Sequence, residues 1–403
     1  MAILRFTYSP LLSILFIFKS KLLPVANCLA FEDDGDTMAT SSADKLFKPV
    51  YKNGVYDNPF PTWRNISFWN AIKWLVTTKD NSNVPSKAVL DRTLPVITPD
   101  LQELADPPKE GIRYMWLGHA TTLVQLDGVT ILTDPVFSER CSFVQFAGPK
   151  RFRPLPLSIS DLPRVDVVLI SHNHYDHLDY DTVVALREKF GAKLTWFVPA
   201  GNGRWMRETG CCKNVKELSW WESSEVPDHP EVRIVCTPCQ HWSRRGVNDT
   251  NKALWSSWSV LGPTQNYFFT GDTGYCAAFK QIGAEYGPFS LAAIPIGSFE
   301  PRWMMRPQHV DPAEAVLIHQ DIRSKQSFGI HWGTFKLASE FYLAPKEKLK
   351  SELESKKFHV SDSTYQNISG ETVCEVAEFA LLCLLAQLYP HTHQIFDVPL
   401  VHM

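Results

Sequence analysis

Apolar and polar residues alternate, or run together, in a way that divides the chain into strands and helices from residue 112 onward. Residues 114–117 read as a strand leading into Gly118-His119, residues 122–126 as a second strand, and residues 129–134 as its return partner. Asp127-Gly128 between the last two is a hairpin signal. Residues 165–170 form a short buried strand interrupted by Asp166. Residues 181–190 predict a helix, and residues 193–198, 232–237, 266–270, 291–296 and 327–331 predict further strands. Another helix covers 312–319, with Asp311 as its N-cap. Hairpins early and alternating strands and helices later predict mixed α/β layers. No repeat recurs at a solenoid period, and the two strand-rich stretches are candidates for structurally similar halves.

The ends differ from this middle, and the chain divides into residues 1–50, 51–110, 111–350 and 351–403. In the first stretch Arg5 precedes an apolar run at 11–18, broken by Ser13 and closed by Lys19 and Lys21. It is too short to span a bilayer, which takes roughly 20 apolar residues. It has the form of a signal-peptide core with a small-residue end at Cys28-Leu29-Ala30, so a secretory signal stays open. Residues 51–110 are rich in Pro, Asn and Trp and read as an arm packed on the core. Phe68, Trp69, Ala71, Ile72, Trp74 and Leu75 predict an amphipathic helix over 68–76, its apolar face on the protein's own core, with membrane contact as the alternative. The tail carries a helical apolar run at 376–388, again too short to span.

Composition narrows the classes. With 44% hydrophobic and 21% charged residues in 403, the chain is neither disordered, collagen-like nor a multi-span membrane protein. A net charge of −3 argues against a nucleic-acid partner. Nine cysteines without paired spacing argue against a disulfide scaffold. The one Cys-x-x-Cys, Cys236 to Cys239, has no second pair to complete a zinc ribbon and reads as two core thiols. The 13 Trp, 12 Tyr and 24 Phe fit either a large core or a lipid-facing surface.

The chemistry concentrates in Ser171-His172-Asn173-His174-Tyr175-Asp176-His177, directly after a predicted strand. Imidazole and carboxylate are the ligands zinc accepts. A tight loop can aim His172 and His174 at one ion and Asp176 and His177 at another. His241, Asp272 and His331 each follow another predicted strand and are candidates to complete the set. Asp134 and Asp179 are candidates to orient ligand imidazoles from behind.

The order His-x-His-x-Asp-His, then isolated His, Asp and His, resembles the metallo-β-lactamase superfamily, over residues 114–331. The resemblance implies a four-layer αββα sandwich. It also implies two Zn²⁺: His172, His174 and His241 on the first, Asp176, His177 and His331 on the second, and Asp272 bridging both. Di-iron members of the superfamily carry Glu where this chain has His174, so zinc hydrolysis is favoured. A closer resemblance rests on Trp116-Leu117-Gly118-His119, Leu132-Thr133-Asp134-Pro135, Gly148-Pro149-Lys150-Arg151-Phe152-Arg153, Glu300-Pro301-Arg302-Trp303 and Gln308-His309-Val310-Asp311-Pro312. These motifs are similar to the N-acyl-phosphatidylethanolamine-hydrolysing phospholipase D family, over residues 58–345; the C-terminal tail diverges from it. The resemblance implies attack of a metal-held hydroxide on a phosphodiester, with Asp272, Asp176 and His331 carrying catalysis. It places Tyr175 and His309 on the substrate. Lys150, Arg151, Arg302 and Arg306 are candidates for lipid phosphate or anionic membrane contact. Expected partners are a phospholipid, a membrane surface and a second copy of the chain, at an intracellular, peripheral membrane location. The alternative is a lactonase or other carboxyl-ester hydrolase on the same metals.

Overall fold

The computed structural model describes residues 46–65, 68–356 and 378–380. A short hairpin, β1 (Val50–Lys52) and β2 (Val55–Asp57), precedes α1 (Phe68–Thr77), α2 (Lys87–Thr93) and α3 (Leu101–Ala105). A six-stranded sheet follows in sequential order: β3 (Ile112–Gly118), β4 (Thr121–Leu126), β5 (Val129–Thr133), β6 (Val167–Leu169), β7 (Thr195–Pro199) and β8 (Asn214–Leu218). Its crossovers carry α4 (Tyr180–Phe190) and α5 (Gly203–Glu208). A seven-stranded sheet runs β9 (Ser223–Val226), β10 (His229–Thr237), β11 (Ser257–Leu261), β12 (Asn266–Phe269), β13 (Leu291–Pro295), β14 (Gln326–Ile330) and β15 (Glu378–Ala380). Its helices are α6 (Ala278–Tyr286), α7 (Arg302–Met305), α8 (Pro312–Asp321) and α9 (Ala344–Ser355).

The two halves share a plan. β3, β4 and β5 pair antiparallel, then β5 to β8 pair parallel. Likewise β9 to β12 pair antiparallel, and β12 to β14 parallel. Strand alternation decides which side chains face which layer. Val124, Leu126, Val129, Ile131, Val167, Leu169 and Phe197 point into the core between the sheets, against Ile234, Trp258, Val260 and Phe269 of the other half. Their neighbours Leu123, Leu132, Val168, Trp196 and Val198 point the opposite way, onto Val183 and Leu186 of α4 and Met206 of α5. Phe279, Ile282, Val316, Ile318 and Leu349 of α6, α8 and α9 cover the second sheet. The expected αββα sandwich is thus the observed fold. Trp196, Trp255 and Trp258 are fully buried, so much of the aromatic excess is core.

The expected helix over 68–76 forms; Trp69, Ile72 and Val76 are exposed and Trp74 is half-buried. Buried Phe60, Leu90, Leu94 and Leu104 on either side of α1 hold the arm to the core. One expectation is corrected. In the run 376–388, Glu378–Ala380 is an edge strand against β14, with Gln326 opposite Ala380, because β14 has an open edge that takes an extended segment. The rest of that run, and residues 1–37 with their signal-like core, lie outside the described residues.

Candidate metal centre

Loops from both sheets meet at one edge of the sandwich. Asp134 follows β5, residues 171–179 follow β6, His241 follows β10, Asp272 follows β12 and His331 follows β14. His119 stands in the turn between β3 and β4. His119, Asp134 and His331 have φ of +57°, +31° and +63°, in the left-handed region that side chains other than glycine rarely adopt. Hydrogen bonds across the sandwich hold them there. The His331 N–H donates to the His119 carbonyl (2.9 Å), the His119 N–H to Thr334 Oγ1 (2.7 Å), and the Asp134 N–H to the Leu169 carbonyl (2.9 Å). Gly271, with φ +62°, lets the turn after β12 lie against Ser171, where a Cβ would sit 2.5 Å from the serine Cβ.

The first group is His172, His174 and His241, whose ring nitrogens converge. His172 Nε2 is 2.8 Å and His241 Nε2 3.3 Å from His174 Nδ1. The outer nitrogens of two of these rings are spoken for. His241 Nδ1 lies 3.1 Å from the Gln308 carbonyl, which can only accept, so Nδ1 carries the proton and Nε2 presents a lone pair. His172 Nδ1 faces Ser171 Oγ at 2.9 Å. Burial pushes His172 and His241 well below the ordinary imidazole value and His174 down to about 4, so all three are neutral at pH 7, the form that binds a cation.

The second group is Asp176, His177 and His331, joined by His119. Asp176 Oδ2 lies 3.4 Å from His177 Nε2, 3.5 Å from His331 Nε2 and 3.0 Å from His119 Nε2. His177 donates Nδ1–H to Asp134 Oδ2 (2.6 Å), which turns its Nε2 lone pair inward. Asp272 Oδ2 stands between the groups, 3.1 Å from His177 Nε2 and His331 Nε2 and 3.9 Å from His172 and His241 Nε2. Burial opposes every charge here, yet opposite charges win at four positions. The carboxylates of Asp272 and Asp176 hold His177 well above the usual range and raise His331 to about 9. His177 in turn holds Asp272 and Asp176 well below theirs.

The donor set fits divalent cations on its own evidence. His177 Nε2, His331 Nε2 and Asp272 Oδ1 are buried with no hydrogen-bond partner, a costly arrangement unless something else engages such atoms. Nitrogen and carboxylate oxygen in groups of three and four are zinc's ligand types.

Each predicted residue can now be placed. The seven expected ligands converge, in the two groups expected, with Asp272 central. His309 joins them: it is buried, its Nδ1 lies 3.9 Å from Asp272 Oδ2, and burial pushes it down to about 3. Tyr175 lies beside the loop, but its hydroxyl donates to the Arg245 carbonyl (2.8 Å), so only its ring, under the Arg245 guanidinium at 4.4 Å, faces a visitor. Asp134 orients His177 as expected. Asp179 does not orient a ligand; it accepts from Thr182 Oγ1 (2.5 Å) and the Ser138 N–H (3.1 Å) at the start of α4. Arg302 is tied to Glu314 (2.6 Å) and Asp311 (3.2 Å), Arg306 to Glu314 (3.0 Å), and Lys150 to Glu139 (2.6 Å). Cys236 and Cys239 are free, buried thiols that burial pushes upward, in keeping with core packing. His119 was missed as a site residue, although Gly-His at a strand end, facing the same edge as the other histidines, is a signal for it.

A beta-lactamase superfamily domain model matches residues 129–332. N-acyl-phosphatidylethanolamine-hydrolyzing phospholipase D 1 of Caenorhabditis elegans is 42% identical over 82% of this chain and 95% of its own length. The mitochondrial N-acyl-phosphatidylethanolamine-hydrolyzing phospholipase D of Saccharomyces cerevisiae is 39% identical over 64% of this chain and 55% of its own. Among solved structures, the metallo hydrolase Igni18 of Ignicoccus hospitalis overlaps 60% of this chain and 91% of its own, at 21% identity and TM-score 0.45.

Proposed function

The chain belongs to the beta-lactamase superfamily and, within it, to the N-acyl-phosphatidylethanolamine-hydrolysing phospholipases D, and from that premise we propose that it hydrolyses N-acyl-phosphatidylethanolamines to N-acylethanolamines and phosphatidic acid with two zinc ions. It is a metal-dependent hydrolase by kinship and fold. The observation that carries the finer reading is the position of Asp272 Oδ2, 3.1 Å from His177 and His331 and 3.9 Å from His172 and His241. One carboxylate can thereby serve both groups.

When bound, the cations supply a water of lowered pKa and neutralise charge developing on the phosphoryl oxygens. His172, His174 and His241 would hold one, and Asp176, His177 and His331 the other, with Asp272 shared. Asp134 keeps His177 in the tautomer that presents Nε2, and the Gln308 carbonyl does the same for His241. His309 and the Tyr175 ring stand at the rim, where they can position the head group. In the net reaction the water oxygen joins phosphorus, the bond from phosphorus to the ethanolamine oxygen breaks, and the alcohol leaves with a proton.

A lipid substrate also needs a surface. Trp69, Ile72 and Val76 of α1 are exposed, as are Phe143, Phe146 and Trp303. Phe143 leans on Tyr175 at 6.0 Å between centroids, and Trp303 lies 4.8 Å under Lys73 of α1. Aromatic residues with a lysine above them suit the bilayer interface. No described helix is long and apolar enough to cross a membrane, and the reading is of a peripheral, intracellular enzyme. The test is release of N-acylethanolamine from N-acyl-phosphatidylethanolamine vesicles. Release should stop with a chelator and return with zinc. Cleavage of the acyl ester alone would instead favour the carboxyl-ester hydrolase.

A further inference from the structure

Of the four cations expected to meet lipid phosphate, three have carboxylate partners; among the described residues Arg151 has none. Its Nη2 donates to the Val136 carbonyl (2.5 Å), its guanidinium lies over the Phe335 ring at 4.7 Å, and its Nε and Nη1 are buried without a hydrogen-bond partner. Arg153 shares its surroundings. That side chain is 5% exposed, Nη1 donates to Asp91 Oδ1 (2.9 Å), and Nε is again buried without a partner. The Asp91 carboxylate that Arg153 meets already pairs with Lys87 (2.7 Å). An unpaired buried guanidinium is expensive and is retained where an anion meets it.

Both arginines line an open cleft, whose other walls include Leu94, Val96, Ile97 and Trp116. Its floor is Gly118, with φ +110°, where a Cβ would sit 3.1 Å from Arg151 Nη1 and 3.0 Å from Thr334 Oγ1. The cleft shares no lining residue with the metal-facing groups. Phe335 divides the two sites, its ring meeting His119 edge-on at 5.5 Å on one side and Arg151 on the other. Arginines with unmet donors beside an otherwise apolar trough define the ligand by chemistry: anionic oxygens at one end, hydrocarbon at the other.

We propose that this cleft is a second binding site, taking the carboxylate or phosphate-monoester head of an amphipathic molecule on Arg151 and Arg153 and its chain along Leu94, Ile97 and Trp116. The site is separate from the metal centre and independent of the reaction assigned there.

Calorimetric titration of the full chain, zinc-loaded and metal-stripped, with decanoate, decyl phosphate, inorganic phosphate and decanol tests this. One equivalent of decanoate or decyl phosphate should bind either form of the protein, and the tighter of the two identifies the head group. Inorganic phosphate should bind at least tenfold more weakly, and decanol should not saturate. Arg151→Met should weaken the amphipathic anions at least tenfold while unfolding no earlier than wild type, because it removes a buried cation that has no carboxylate partner. Ile97→Trp, which fills the half-buried wall without touching the charges, should do the same and decides the matter if Arg151→Met folds poorly. Four results would overturn the proposal: no saturable binding of either amphipath, equal binding of decanol or inorganic phosphate, wild-type affinity in folded Arg151→Met or in Ile97→Trp, or binding that disappears with the metals.

Discussion

Replacing Asp134 by Asn changes almost nothing in shape and should still weaken both metal groups. Asp134 Oδ1 accepts the Ser171 N–H at 2.7 Å; Oδ2 accepts Ser171 Oγ–H at 2.5 Å and His177 Nδ1–H at 2.6 Å. An asparagine keeps the first bond with its carbonyl. Its NH₂ then faces two groups that formerly donated. His177 can satisfy it only by presenting Nδ1 as an acceptor, which puts the proton on Nε2, the atom 3.1 Å from Asp272 Oδ2. Ser171 can satisfy it by turning its own hydroxyl hydrogen toward His172 Nδ1, 2.9 Å away, which also puts that ring's proton on Nε2. One substitution thus reverses the tautomers of a residue in each group. Loss of such a supporting contact typically costs 10–100-fold in metal affinity, or about 1.4–2.7 kcal/mol at each site. Without metal the charged His177 loses one of the three carboxylates that hold it, so the metal-stripped variant should unfold more than about 1 kcal/mol earlier than metal-stripped wild type. Competition with a graded series of chelators, read by metal analysis, measures the first figure, and urea unfolding in excess chelator the second. Wild-type metal affinity in Asp134→Asn would refute the tautomer argument. Unchanged stability without metal would show that Asp134 does not help hold the charged His177.

Other expectations follow from the same contacts. His119→Ala removes the group 3.0 Å from Asp176 Oδ2, and metal analysis should show the second equivalent weakened about tenfold with the first retained. Metal-stripped protein should have a narrow pH optimum of stability. His119 and His309 are held down to about 3 and His174 to about 4 in the fold, so stability falls as pH drops below 6.5 and the unfolded chain takes up protons first. His331, raised to about 9, stabilises below 6.5, and that contribution is lost as pH rises toward 9. Thermal midpoints across pH 4–10 that trace the same curve with and without zinc would contradict this. Trp69→Ser with Val76→Ser removes two largely exposed apolar side chains; at about 25 cal/mol per Å² this is worth about 2–4 kcal/mol of interfacial burial. Vesicle co-sedimentation should drop more than tenfold while turnover of a short-chain soluble substrate is unchanged.

The strands that carry the site were legible because each ends an apolar run with a polar, metal-competent residue. What was hidden was hidden for physical reasons. β11 is written Ser257-Trp258-Ser259-Val260-Leu261, and its serines are buried as completely as its apolar residues. Polarity therefore misreports its position; Thr237 Oγ1 and Ser257 Oγ satisfy each other at 2.8 Å inside the sheet. β8 and β9 lie at the edges of their sheets, where charged side chains break the alternation. Amphipathicity located α1 correctly but could not say which of its apolar positions stay open: Trp69, Ile72 and Val76 do, whereas Trp74 is half-buried. Asp134 and Asp179 looked alike as carboxylates near the histidines; only the fold shows that one reaches His177 and the other takes the Thr182 hydroxyl and the Ser138 N–H.

Hydrolysis of N-acyl-phosphatidylethanolamine by the zinc-loaded protein in ¹⁸O-labelled water tests the central claim most directly. Attack of water at phosphorus puts one labelled oxygen in the phosphate of phosphatidic acid and none in the N-acylethanolamine, and Asp272→Asn should abolish both products. Label in a released fatty carboxylate, or in the N-acylethanolamine, would contradict the account.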